Sequence, residues 1–264
     1  MTIVLFDTQE RSQLYPFTEV RPVAHLRLGM LQLHEWWAEE LQLPVTILVP
    51  DYLAGMYPME AESQDYLYID ARLLPDAPLL QQLKQLDAGE MLVDGERLLA
   101  GRSSRRLPFG FSLSDLQPAK TMGQAFPLRL LEHPFQLVHF NGEAMQQQFR
   151  LLTSGRTSQP IDPSNYVVKP EAIFIEEGAT VNACMLNASS GPIYIGKNSL
   201  IMEGTMIRGA FAALEHSVVK MGSRIYGATT VGRYCTAGGE IKNTLFFDYS
   251  NKAHDLSLIH ISEP

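Results

Sequence analysis

The chain has 264 residues, enough for one large hydrophobic core or two modest ones. Hydrophobic residues make up 45% and charged residues 19%, which excludes a disordered chain and fits a folded one. The formal net charge of −8 argues against a broad phosphate-neutralising surface for nucleic acid, and two cysteines without CxxC spacing, Cys184 and Cys235, give neither a zinc site nor a disulfide framework.

No stretch approaches the ~20 uninterrupted apolar residues that cross a bilayer. The amino terminus, MTIVLFDTQERSQ, has acids close behind a short apolar run and no basic start. It reads as a first strand and not as a secretion signal, so the expected location is cytoplasmic. In chain order, TIVLF is a buried strand and LGMLQLHEWWAEELQ an amphipathic helix, with one of Trp36 and Trp37 under the sheet and the other at the surface. VTILVP and DYLYID are further strands, PLLQQLKQLDAG a second helix, and GRSSRR at 101–106 a solvated basic loop. LVHFN reads as a late strand feeding a helix, GEAMQQQFRLL. Alternating strands and helices predict an α/β domain with a mostly parallel sheet over residues 1–155. TSGRTSQPIDPSN, without periodicity, is the linker.

Beyond the linker the period becomes six. Ile175 and Val181 are six apart, and from Ile195 the series runs through Ile201, Ile207, Ala213, Val219, Ile225, Val231 and Ala237. An α-helix with that period would smear its apolar face around the circumference. A parallel β-helix accounts for it: each hexad is one short side, its aliphatic residue points inward, three sides close a coil of eighteen, and coils stack about 4.8 Å apart. Two extra residues in NASSGPIYIG shift the phase, as a loop between coils does, and glycines such as Gly196 and Gly232 suit the corners. The predicted β-helix covers residues 166–255. Residues eighteen apart occupy one place on adjacent coils, so Arg224 and Lys242 are expected to stack, which calls for an anion between them.

These hexads, Arg224, Lys242 and the stretch YSNKAHD ending in His254 and Asp255 resemble the acetyltransferase half of the GlmU family, bifunctional enzymes that make UDP-N-acetylglucosamine. The resemblance covers about 165–255. It implies a left-handed β-helix, a homotrimer, a sugar phosphate held by Arg224 and Lys242, and His254 as the base, with Asp255 orienting the imidazole. An unperturbed imidazole, with a pKa of about 6.5, is suited to deprotonating an amino sugar for attack on a thioester. The family would continue into further coils that carry most acetyl-CoA contacts, whereas this chain reads LSLIHISEP. Residues 256–264 are therefore expected to be a non-native tail, His260 carries no weight, and acetyl-CoA belongs to the complete parent. His216 falls in a hexad, but with His254 it makes two histidines, short of the three of a β-helix zinc hydratase.

More loosely, ERSQLYPFTEVRPVAHLRLG resembles the start of sugar nucleotidyltransferases, through Arg11, Pro16, Thr18 and Arg21. FDTQER stands where a Gly-rich turn would cradle phosphate. The resemblance implies that Arg11, Arg21 and Thr18 handle nucleotide phosphates. It also implies Mg²⁺ held by Asp70, closing DYLYID, and Asn141, closing LVHFN, at the carboxyl ends of parallel strands. Either residue at a strand end is also ordinary turn chemistry. The expected activity is nucleotidyl transfer from a nucleoside triphosphate to a sugar 1-phosphate, of the UDP-N-acetylglucosamine diphosphorylase type, with a glucosamine-1-phosphate N-acetyltransferase-like second domain. The alternative is a non-catalytic protein that binds a nucleotide sugar or assembles through its β-helix.

Overall fold

The structure, a computed structural model, describes residues 1–59, 63–111, 120–123 and 127–255; the expected tail lies outside them. The chain forms two compact units. Unit 1 comprises Met1–Leu26 and Leu31–Gln136; unit 2 comprises Arg27–Met30 and the chain from Leu137 onward.

Unit 1 is built on β1 (Thr2–Phe6), α1 (Leu33–Leu41), β2 (Val45–Leu48), β3 (Tyr66–Asp70), α2 (Ala77–Lys84), β4 (Glu90–Asp94), β5 (Arg97–Ser103) and β6 (Lys120–Gly123). The strands form one sheet in the order β2, β1, β3, β5, β4, β6. Every residue of β1 and β3 is buried, as expected of central strands covered on both faces. β1 is parallel to β2 and β3, and β4 to β6, while β5 runs antiparallel to β3 and β4. The sheet is mixed because Gly95 and Glu96 alone join β4 to β5, with Gly95 at φ +61°, and so short a connection permits only a hairpin.

Two local expectations are corrected here. Trp36 and Trp37 are both buried, their indole N–H groups donating to Glu40 and to the Leu73 carbonyl. The first residues of GRSSRR belong to β5, where Arg102 forms a fork to Asp65 at 2.8 and 2.9 Å.

In unit 2, LVHFN is no strand. It lies within α3 (Phe135–Thr153), whose buried residues Leu137, Asn141, Ala144, Met145 and Gln148 recur at helical spacing straight through the supposed boundary. The segment read as a linker is bonded to the first coil: Gln159 N–H donates to Ile175 O at 2.8 Å, and Asn165 bridges Val181 O and Cys184 N–H.

The hexads form a parallel β-helix of about five turns with three walls. The first wall stacks β8 (Ile173–Ile175), β11 (Ile193–Ile195), β14 (Phe211–Ala213) and β17 (Thr229–Val231). The second stacks β9 (Thr180–Val181), β12 (Leu200–Ile201), β15 (Val218–Val219), β18 (Thr236–Ala237) and β20 (Asn251–Lys252). The third stacks β7 (Tyr166–Val168), β10 (Met185–Asn187), β13 (Met206–Arg208), β16 (Arg224–Tyr226) and β19 (Glu240–Lys242).

Every sixfold aliphatic lies in the solenoid core. Ile207 pairs with Ile225 eighteen residues on, whereas Ile175 pairs with Ile195 twenty on, which accounts for the phase shift. Corner spacing is tight: a Cβ on Gly196 would stand 2.8 Å from Glu215 N and Leu214 C on the next coil. Gly196→Val is therefore expected to cost about 1–3 kcal/mol by forcing two coils apart. A thermal melt checks this, and an unshifted midpoint would contradict the coil spacing.

Candidate functional site

The carboxyl ends of the parallel strands β1, β2 and β3 share one edge in unit 1, the edge where open α/β sheets take ligands. The chain leaves β1 there into Asp7. This carboxylate is buried, accepting from Val23 N–H at 3.0 Å and from Arg11 Nε at 2.8 Å. Burial pushes its pKa up to about 6, even with the Arg11 guanidinium beside it.

Arg11 donates onward to the Tyr52 hydroxyl and to the carbonyls of Thr18 and Arg21, and Thr18 Oγ1 donates to Arg11 O at 2.7 Å. The three residues expected to handle phosphate thus do meet. Yet the guanidinium is buried and its donors fold the loop that replaces the Gly-rich turn. A phosphate has no free fork to grip on Arg11.

Asp70 ends β3 as expected, level with Phe6 of β1. Its Oδ1 accepts from Arg72 N–H at 3.0 Å and Arg72 Nε at 3.1 Å, and its Oδ2 from Arg72 Nη2 at 2.7 Å. Both side chains are buried. Asn141, in unit 2, is fully buried on α3. Its Oδ1 accepts from Gly29 N–H at 2.8 Å, and its Nδ2 donates to Ala228 O at 3.2 Å and Thr230 Oγ1 at 3.3 Å.

Mg²⁺ demands near-octahedral oxygen ligation. A carboxylate clamped by a guanidinium and an amide spent on packing do not fit it. Among the described residues, no group of three His, Cys, Asp or Glu side chains is arranged to hold a metal ion. The sequence signal for the clamp is the acid–base pair two residues apart in DAR.

On the third wall of unit 2, Arg224 and Lys242 are not stacked. Arg224 pairs with Glu240, Ile225 with Ile241, and Tyr226 with Lys242. The corner between Ala237 and Ile241 is two residues shorter than that between Val219 and Ile225, so the last strand slips by two. Two is the side-chain period of a strand, so the inward ladder of isoleucines survives and the outward partners change. Glu240 lies 3.7 Å from Arg224 and accepts from the Tyr226 hydroxyl at 2.6 Å, while Lys242 Nζ sits 5.7 Å from the Tyr226 ring centre. The anion that two cations called for is the chain's own.

His254 is exposed and follows β20 of the second wall; its carbonyl accepts from Lys252 Nζ at 3.0 Å. Asp255, next to it, comes within 3.9 Å of Arg224. His216 stacks on Tyr234, ring centres 4.9 Å apart.

The outward row of the third wall runs Tyr166, Met185, Met206, Arg224, Glu240. Its first four members, with Gly142 and Gln146 of α3 and with Arg208, border a groove of about 760 Å³. That volume lies in the range of small-molecule sites. The sixfold series marks inward positions only; Met206 and Arg208 were readable as the neighbours of Ile207. A family model described as sugar nucleotidyl transferase matches residues 3–157, more than half of the chain. No curated protein matches it.

Proposed function

Because this chain belongs to the sugar nucleotidyl transferase family, we propose that unit 1 takes a nucleoside triphosphate and a sugar 1-phosphate at the shared edge of β1, β2 and β3. In the transfer, a sugar phosphate oxygen attacks the α-phosphorus and pyrophosphate leaves. The observation that carries the reading is the family match, which takes in all six strands of the sheet from Ile3 on. UDP-N-acetylglucosamine as the product follows from the GlmU-like resemblance. Incubating the chain with UTP or dTTP and a panel of sugar 1-phosphates in magnesium buffer should release pyrophosphate with one pair. Silence with every combination would end the transferase reading.

For unit 2 the proposal is a GlmU-like acyl-acceptor site, in a cytoplasmic homotrimer, with the sugar phosphate on Arg224, His254 as base and, in the complete parent, acetyl-CoA as acyl donor. The ion pair of Asp255 with Arg224 brings the segment that carries His254 to Arg224, which supports the pairing of base and phosphate ligand. A phosphate would have to displace the carboxylates of Glu240 and Asp255, and the pairing of Lys242 with Tyr226 removes Lys242 from the expected stack. Acetyl transfer by that parent, unchanged in His254→Ala, would remove the base.

A second reading has its own support. Arg11 and Asp70 are saturated by neighbouring groups, which favours binding of a nucleotide sugar without turnover. A sugar nucleotide that raises the melting temperature while no substrate pair yields pyrophosphate would select this reading.

A further inference from the structure

We infer that Arg72 is the resident cation of the strand edge in unit 1, standing in the place of a divalent metal ion, and that this edge binds its ligand without one. The geometry is specific. The guanidinium fork covers both oxygens of Asp70, at 3.1 and 2.7 Å, and the Arg72 main-chain N–H takes a further position on Oδ1 at 3.0 Å. Such a fork satisfies a carboxylate in one plane, as a lysine cannot.

Glu10 stands 3.7 Å from the same guanidinium, and Glu132 adds to the field. Burial alone would lower the Arg72 pKa, yet Asp70, Glu10 and Glu132 together hold it above its ordinary range. Arg72 Nη1 is buried and has no hydrogen-bond partner among the described residues, so carboxylates, and not a complete set of hydrogen bonds, hold the group in place. A metal ion entering here would have to displace a buried guanidinium from its carboxylate and leave that charge unpaired, which is strongly disfavoured.

The ligand part of this inference rests on the proposed nucleotide-sugar site; the metal part does not. The test therefore uses Mn²⁺ alone, on the full chain, without nucleotide. In wild-type protein, Mn²⁺ should leave the amide resonances of Asp70 and Arg72 unbroadened. In Arg72→Met, which keeps the apolar stem and frees the carboxylates, the same resonances should broaden, with Mn²⁺ affinity about tenfold or more tighter than wild type. Selective broadening in the wild type would overturn the inference, as would a folded Arg72→Met chain that ignores Mn²⁺. The wild-type spectrum decides alone where the variant fails to fold. Absence of nucleotidyl transfer would leave the Mn²⁺ result intact.

Discussion

Arg11→Met should destabilise unit 1 by about 3–5 kcal/mol at pH 8, because it breaks a buried ion pair and leaves Asp7 without its partner. The pH dependence identifies the cause. The folded pKa of Asp7, about 6, lies above its ordinary value of 3.8. Its contribution to stability is therefore fully present below pH 3.8 and is lost as pH rises through 6. Without Arg11 the folded pKa rises further, so the variant is penalised most where Asp7 must ionise unpaired and least below about pH 5, where the carboxyl holds a proton in the fold of the variant. Both tryptophans of the chain lie on α1 in unit 1, so denaturant unfolding followed by their fluorescence at pH 5 and pH 8 reads this unit directly. Activity lost with wild-type stability would show instead that Arg11 serves a ligand.

The second large effect is in unit 2. Asp248 holds Arg27 through Nε at 3.0 Å and Nη2 at 2.7 Å, and its Oδ1 also accepts from Arg233 N–H at 2.8 Å. The Arg27 side chain is 2% exposed and that of Asp248 15%, so solvent screens the pair little. Asp248→Ala strands a buried guanidinium and should cost about 3–5 kcal/mol, whereas the double change Arg27→Met with Asp248→Leu should recover much of the loss. Hydrogen exchange at the coil amides of β17 and β18 reports the effect where no tryptophan does. Protection equal to wild type in the single variant would mean that the pair contributes nothing.

How much was legible depends on what each signal encodes. The inward ladder from Ile195 to Ala237 was readable because one aliphatic per hexad is a local property, and all its members are core residues. The stacking of Arg224 on Lys242 was misread because register depends on the length of each corner, and one corner is two residues short. Asn141 looked like a strand end because five residues of mixed character cannot distinguish a strand from a helix. Its amide partners Gly29, Ala228 and Thr230 lie far away in sequence. The Gly95 turn was a readable hairpin signal that makes the sheet mixed.

From the order of its residues alone, this protein determined that an α/β layer precedes a prism of hexads, and that Asp70 closes a central strand. Those features follow from the repeat of apolar side chains along the chain. Only the tertiary structure decided which charged groups are free: Arg11 is spent on Asp7, Asp70 on Arg72, and Arg224 faces Glu240. The physical reason is that a side chain's chemistry depends on what fills its hydrogen bonds in the fold, and periodicity carries no record of those partners.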